Sequence, residues 1–162
     1  MSIKVGDKLP EGKFTVMGEG GPKPATTDEV FGGKKVVLFA VPGAFTPTCS
    51  EAHLPGFVGQ ADAIKAKGVA TVACTAVNDV FVLTAWAKAR DAQDDVVMLA
   101  DGNADFAKAL GLEIDLSPFG LGIRSKRYAL IAENGVVSYI AVEDSPPEHK
   151  NATAEKILAA LK

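Results

Sequence analysis

Val36-Val37-Leu38-Phe39-Ala40-Val41-Pro42-Gly43-Ala44-Phe45-Thr46-Pro47-Thr48-Cys49-Ser50 is the stretch on which the reading of this chain turns. Its first six residues are all apolar and rich in β-branched and aromatic side chains. Such a run, with no polar residue to face water, reads as a strand covered on both faces, and it is expected at the centre of a sheet. Pro42 and Gly43 end it. Leu54, Phe57, Val58, Ala61 and Ile64 then recur at helical spacing up to Lys67-Gly68, where glycine is a natural stop. Pro55 is expected to kink or interrupt this helix near its start. Cys49 therefore sits where a buried strand gives way to a helix.

The same alternation extends outward. Val69 to Val77 reads as a second buried strand, and Asn78-Asp79 offers a cap for a helix through Phe81, Leu83 and Trp86 to Arg90. Val96 to Ala100 makes a third strand. Asp101-Gly102-Asn103 turns the chain into a short helix, Ala104 to Leu110, closed by Gly111. Arg127 to Ala132 and Val136 to Val142 flank Glu133-Asn134-Gly135, whose Asn-Gly is the strongest short hairpin signal. Ala152 to Leu161 is a terminal amphipathic helix, and Gly18 to Pro24 near the start reads as a loose loop. The pattern predicts an α/β chain with a central mixed β-sheet flanked by helices on both faces. This is the element order of a thioredoxin-like fold. Active groups in such sheets gather at the carboxyl ends of the strands, which directs attention to the segment after Val41.

Composition narrows the function. The 162 residues are expected to form a single domain over positions 1–162, long enough to hide about 70% of the surface of the unfolded chain. Two cysteines, Cys49 and Cys74, are too few for a disulfide scaffold and lack the clustering of a zinc site, so no metal is expected. With 17 Lys+Arg against 20 Asp+Glu the net charge is −3, which argues against a nucleic-acid partner. Ser2 to Asp7 places a glycine and an acid where a secretory signal needs an apolar stretch, and no apolar run approaches the ~20 residues of a membrane span. The expectation is a soluble, cytoplasmic protein in a reducing compartment, with no membrane partner.

The unpaired N–H groups and positive dipole end of a helix start favour a thiolate, and the thiolate is the nucleophilic form of cysteine. Thr46 offers a hydroxyl to the sulfur or to a substrate oxygen. It also stands at the first position of what would be a C-x-x-C dithiol, which excludes that motif. Gly122-Ile123-Arg124-Ser125-Lys126-Arg127-Tyr128 brings three cations to the opening of an apolar strand. A guanidinium beside a thiolate stabilises it and can hold an oxygen ligand, whereas the plain reading of this cluster is a solvated strand end. For Cys49 itself the plain reading is a small buried hydrophobe.

The stretch Val41 to Ser50 with His53-Leu54-Pro55-Gly56-Phe57 closely resembles the active-site region of peroxiredoxins, in particular the type II, peroxiredoxin-5-like group. The motif is P-x-x-x-T-x-x-C. Further matches at Ser2 to Leu9, Ala66 to Val69, Val77 to Asp79, Leu99 to Gly102 and Lys126 to Ala129 extend the resemblance over essentially the whole chain. It implies a thioredoxin-like fold and a thiol-dependent peroxidase acting on hydrogen peroxide and alkyl hydroperoxides in antioxidant defence. Cys49 would be the peroxidatic cysteine, oxidised to a sulfenic acid. Thr46 would hydrogen-bond the peroxide and the sulfur, Pro42 would shield the pocket, Arg127 would orient thiolate and peroxide, and Pro42, Gly43, Thr46 and Arg127 would contact the substrate. Arg124 is read as an outer residue. His53 is given a supporting role over a Cys-His catalytic pair, Trp86 a place in the core, and Phe45 a share in the homodimer interface common in this group. No cofactor is implied.

Cys74 matches the second cysteine of plant-like members and is a candidate resolving thiol. Alternation along Val69 to Val77 also places it with Ala70, Val72 and Ala76 on one face of a buried strand, which favours an inert core residue. No cysteine follows Glu143, so the reductant is expected to be external: glutathione with glutaredoxin, or thioredoxin. A redox relay that passes its oxidation to a partner protein, and an interaction module with a vestigial thiol, are the competing readings.

Overall fold

The apolar run forms the inner strand of a seven-stranded mixed sheet in the computed structural model, which describes residues 2–161; the two end positions of the domain read over 1–162 lie outside the described residues. The chain opens with a hairpin of β1 (Lys13–Gly18) and β2 (Gly21–Thr26), then α1 (Thr27–Phe31) and β3 (Lys35–Ala40). A loop and a π-helical turn, Cys49–His53, lead into α2 (Leu54–Lys65), followed by β4 (Thr71–Ala76), α3 (Val80–Ala89), β5 (Val97–Ala100) and α4 (Asp105–Leu110). β6 (Glu113–Asp115) and β7 (Ile123–Ser125) pair as a small separate ribbon. β8 (Tyr128–Glu133), β9 (Val136–Val142) and α5 (Ala154–Ala160) complete the chain. The strand order is β2-β1-β5-β4-β3-β8-β9, with β3, β4 and β5 parallel and the rest antiparallel.

Both faces of β3 are covered, as its composition requires. Val37 and Phe39 pack with Leu54, Phe57 and Ile64 of α2, Leu83 and Trp86 of α3, and Ile157 of α5. Val36, Leu38 and Ala40 pack on the other face with Phe14, Phe31, Phe106 and Leu110. The long helices α2 and α3 therefore share one face with α5, while α1 and α4 cover the other. At about 1.5–3 kcal/mol per buried large side chain, this two-sided burial is the main force holding the sheet together.

The start of the chain differs from the sequence reading. Gly18 to Pro24 is not a loop: Gly18 to Gly21 turn the β1–β2 hairpin and Gly21 to Pro24 belong to its second strand, with pairing from Lys13 opposite Thr26 to Gly18 opposite Gly21. Pro22 and Pro24 are tolerated because β2 is an edge strand with one side free of any ladder. Pro55 interrupts the helix near its start, as expected, and does so as a widened turn before it. A regular helix would ask Pro55 for an N–H to the Glu51 carbonyl, which proline lacks, and the Leu54 N–H bonds back to Cys49 O in the π pattern. The Asn-Gly hairpin forms as read, with Asn134 at φ 49° and Gly135 at φ 77°.

Candidate active site

The carboxyl end of β3 runs into Val41-Pro42-Gly43, and a helical turn starts at Pro47, so Cys49 lies in its first turn. Proline suits that first position because its missing N–H would have had no partner there. The Cys49 side chain is completely buried. Arg127, just before β8, brings its guanidinium to it: Nη2 donates to Cys49 Sγ at 3.2 Å. The same guanidinium donates from Nε and Nη2 to the Pro146 carbonyl at 3.2 and 3.0 Å, and from Nη1 to His53 Nδ1 at 2.9 Å. Arg127 is 2% exposed and, among the described residues, has no carboxylate within ion-pair distance. Its hydrogen-bond partners are two neutral acceptors and one sulfur. Among these partners, the sulfur is the side-chain group able to carry a negative charge beside this buried cation.

The guanidinium carries donors and no acceptor, which fixes the tautomer of His53. Nδ1 accepts from Arg127, so the ring proton is on Nε2, which donates to Ala152 O at 2.9 Å. Burial, the Arg127 charge and then His149 hold His53 well below the usual imidazole range, so the ring is neutral. Both nitrogens are engaged away from Cys49. The i, i+4 spacing that invites a Cys-His pair is taken up by the π-helical turn, and His53 acts on Arg127 instead.

Thr46 Oγ1 donates to Gly43 O at 2.6 Å. Its proton is thus committed to the backbone and not to the sulfur, and its lone pairs remain to accept from an O–H in the cleft. Arg124, read as an outer residue, braces that loop from behind: Nε donates to Leu121 O at 2.8 Å and Nη1 to Pro42 O at 3.2 Å. A Cβ at Gly43 would come within 2.7 Å of Arg124 Nη1 and 3.2 Å of the Thr46 methyl, so the close approach requires glycine. Two anchors escaped the sequence reading. Asn78 Oδ1 accepts from Ala44 N at 2.9 Å, and Trp86 Nε1 donates to Ser50 Oγ at 2.9 Å. In the sequence Asn78 reads as part of a helix-cap signal and Trp86 as core, where it does lie.

Pro42, Thr46 and Arg127 line one cleft of about 460 Å³ with Pro47, Leu116, Phe119, Leu121, Pro146 and Pro147. Its wall is almost wholly apolar, and Thr46, Thr48 and Arg127 supply its polar side chains. Cys74 lies elsewhere. It stands opposite Phe39 in the β3–β4 register, is fully buried, and burial, then the Cys49 charge, push its thiol well above the usual range. Both cysteines are free. Phe45 is 54% exposed, with φ at 67°.

Residues 4–158 match the Redoxin family. A solved structure described as reduced Prx3 in complex with H2O2, from Vibrio vulnificus, is 52% identical and superposes with a TM-score of 0.94 over 99% of both chains. Two curated relatives are similar over nearly the whole chain. Peroxiredoxin-2C of Oryza sativa subsp. japonica is 49% identical over 98% of both chains. The chloroplastic Peroxiredoxin-2E of Arabidopsis thaliana is 47% identical over 99% of this chain and 70% of its own length. The chain belongs to the redoxin family, on a thioredoxin-like fold, and within it to the type II peroxiredoxins. Its activity is that of a thiol-dependent peroxidase, an antioxidant oxidoreductase.

Proposed function

We propose that Cys49 is the peroxidatic residue and that Thr46, Pro42, Gly43 and Arg127 form the peroxide site around it. The observation that carries this reading is the 3.2 Å contact from a buried, carboxylate-free guanidinium to the Cys49 sulfur. A hydroperoxide entering the cleft donates its O–H to Thr46 Oγ1 and accepts from Arg127. The thiolate attacks the proximal oxygen, the S–O bond forms as the O–O bond breaks, and the sulfur is oxidised to a sulfenic acid. The distal oxygen leaves as hydroxide or alkoxide and takes a proton from solvent. Negative charge grows on that oxygen during cleavage, so a cation already held in place lowers the barrier. Pro42 keeps bulk water from the sulfur.

The apolar wall of the cleft suits alkyl hydroperoxides as well as hydrogen peroxide. One thiol condenses with the sulfenic acid to a mixed disulfide and water, and a second releases Cys49 and a disulfide. We assign this work to an external reductant, glutathione with glutaredoxin or thioredoxin, because Cys74 is buried with its thiol held protonated. The cycle needs no metal or organic cofactor. A cytoplasmic single-domain protein that pairs as a homodimer through the face carrying Phe45 is the setting proposed for it; among the described residues no helix is long and apolar enough to cross a membrane. Steady-state consumption of hydrogen peroxide and an alkyl hydroperoxide, with each reductant in turn, tests the reading. Turnover that disappears in Cys49→Ser is expected; turnover that survives it would refute the assignment.

A further inference from the structure

We infer that Glu143 is a positioning residue for the reaction at Cys49: its carboxylate folds residues 144–153 into a strap whose Pro146 and Ala152 carbonyls hold Arg127 and His53. The inference rests on the proposed roles of Cys49 and Arg127 and adds a residue outside the cleft.

Glu143 follows β9 directly and is 4% exposed. Its N–H donates to Arg127 O at 2.9 Å, continuing the ladder that places Tyr128 opposite Val142. Arg127 and Glu143 are therefore facing residues of an antiparallel pair, with side chains on the same side of the sheet. The carboxylate nonetheless does not bond the guanidinium. Glu143 Oε2 accepts three backbone N–H groups in succession, from Lys150 at 2.9 Å, Asn151 at 2.6 Å and Ala152 at 2.7 Å. Charge-assisted bonds of this kind are roughly twice as strong as neutral ones.

Those three bonds pull the far end of the segment back onto its start. The segment contains no helix or strand before α5. Between its tied ends it presents Pro146 O to Nε and Nη2 of Arg127, and at its end Ala152 O to His53 Nε2. Every hydrogen bond that orients the guanidinium, apart from the one to sulfur, thus depends on this strap, directly through Pro146 or through His53. With the carboxylate withdrawn, the segment regains backbone freedom, and the guanidinium loses its fixed acceptors.

Reach and charge separate cleanly here. Glu143→Gln keeps an oxygen within reach of the three N–H groups and removes the charge. Glu143→Asp keeps the charge and shortens the reach, and Glu143→Ala removes both. The measurements are the second-order rate of Cys49 oxidation by hydrogen peroxide and the pH profile of Cys49 alkylation by iodoacetamide, on variants whose circular dichroism is native. The expected result is Gln within about threefold of wild type, and Asp and Ala slower by about tenfold or more, with alkylation profiles displaced to higher pH. A role confined to stability would move the melting temperature and leave the profile in place. Native Asp and Ala variants at the wild-type rate and profile would overturn the inference. So would a Gln variant as slow as Ala, or one whose profile moves to lower pH, because the carboxylate would then act through its charge on the thiolate. Should Asp and Ala fail to fold, the Gln result decides. Wild-type Cys49 that fails to react with peroxide refutes the proposed function itself, whereas a reactive wild type with indifferent Glu143 variants refutes the strap alone.

Discussion

Replacing Arg127 by glutamine removes the guanidinium from the centre of the hydrogen-bond network and leaves a side chain too short to reach the sulfur, Pro146 O and His53 Nδ1 together. The bond to Cys49 Sγ, at 3.2 Å, is made by a charged donor in a fully buried setting. A bond of that kind is worth about 1.5–3 kcal/mol, so the rate of Cys49 oxidation should fall about 10- to 150-fold. Losing the partners of Pro146 O and His53 Nδ1 strands one half-buried and one fully buried acceptor, the latter at about 1–3 kcal/mol if unrelieved and the former at less. A fall in melting temperature of about 4 °C or more follows for a chain of this size. Arg127→Lys keeps a charge but not the fork, and should recover only part of the rate. Stopped-flow competition for hydrogen peroxide, on fully reduced protein, reads the rate directly. A glutamine variant within twofold of wild type, with the fold intact, would refute the reasoning.

Thr46→Val removes both the bond to Gly43 and the acceptor offered to peroxide, and should slow Cys49 oxidation about 2- to 12-fold, whereas Thr46→Ser stays near wild type; equal rates for Val and Ser would count against the hydroxyl. His53 is buried neutral and resists protonation in the folded chain, while the unfolded chain protonates near pH 6.5. Stability is therefore fully present above that value and is lost as pH falls below it, by about 1 kcal/mol for this group between pH 7.5 and 5.5, with His149 shifting in the same direction. Denaturant midpoints at the two pH values check this, and a midpoint that does not move would show that His53 takes up its proton without unfolding. Cys74→Ala should leave turnover with external thiols within about twofold and cost about 1 kcal/mol of stability through lost packing. A Cys49–Cys74 disulfide seen by mass in oxidised wild type would make Cys74 the resolving thiol instead.

The parts of the fold legible in the sequence rest on local rules. The Val36–Val41 run, the Asp79 cap of α3, the Gly111 stop and the Asn134-Gly135 turn each announce themselves within a few residues. The β1–β2 hairpin was hidden because Gly21-Pro22-Lys23-Pro24-Ala25-Thr26, an exposed edge strand, carries no apolar alternation. The capping box of Thr26 and Glu29 was present as T-x-x-E, but α1 spans only five residues and shows no period. At the site, Thr46 and Cys49 share one loop and could be read together. Arg127 came from a basic cluster and from a resemblance, and nothing local separated it from Arg124. The Pro146 and Ala152 carbonyls were invisible because backbone acceptors have no residue signature; they lie 19 positions from Arg127 and 99 from His53 respectively.

The central claim is that one buried thiol, Cys49, takes the oxygen from peroxide. Wild type, Cys49→Ser and Cys74→Ser, each fully reduced and given one equivalent of hydrogen peroxide in the presence of a dimedone-type trap, test it most directly when the products are weighed and the adduct is located. The account predicts one adduct on Cys49 in wild type and in Cys74→Ser, and none in Cys49→Ser. An adduct on Cys74 in Cys49→Ser, or no adduct on Cys49 in Cys74→Ser, would contradict it.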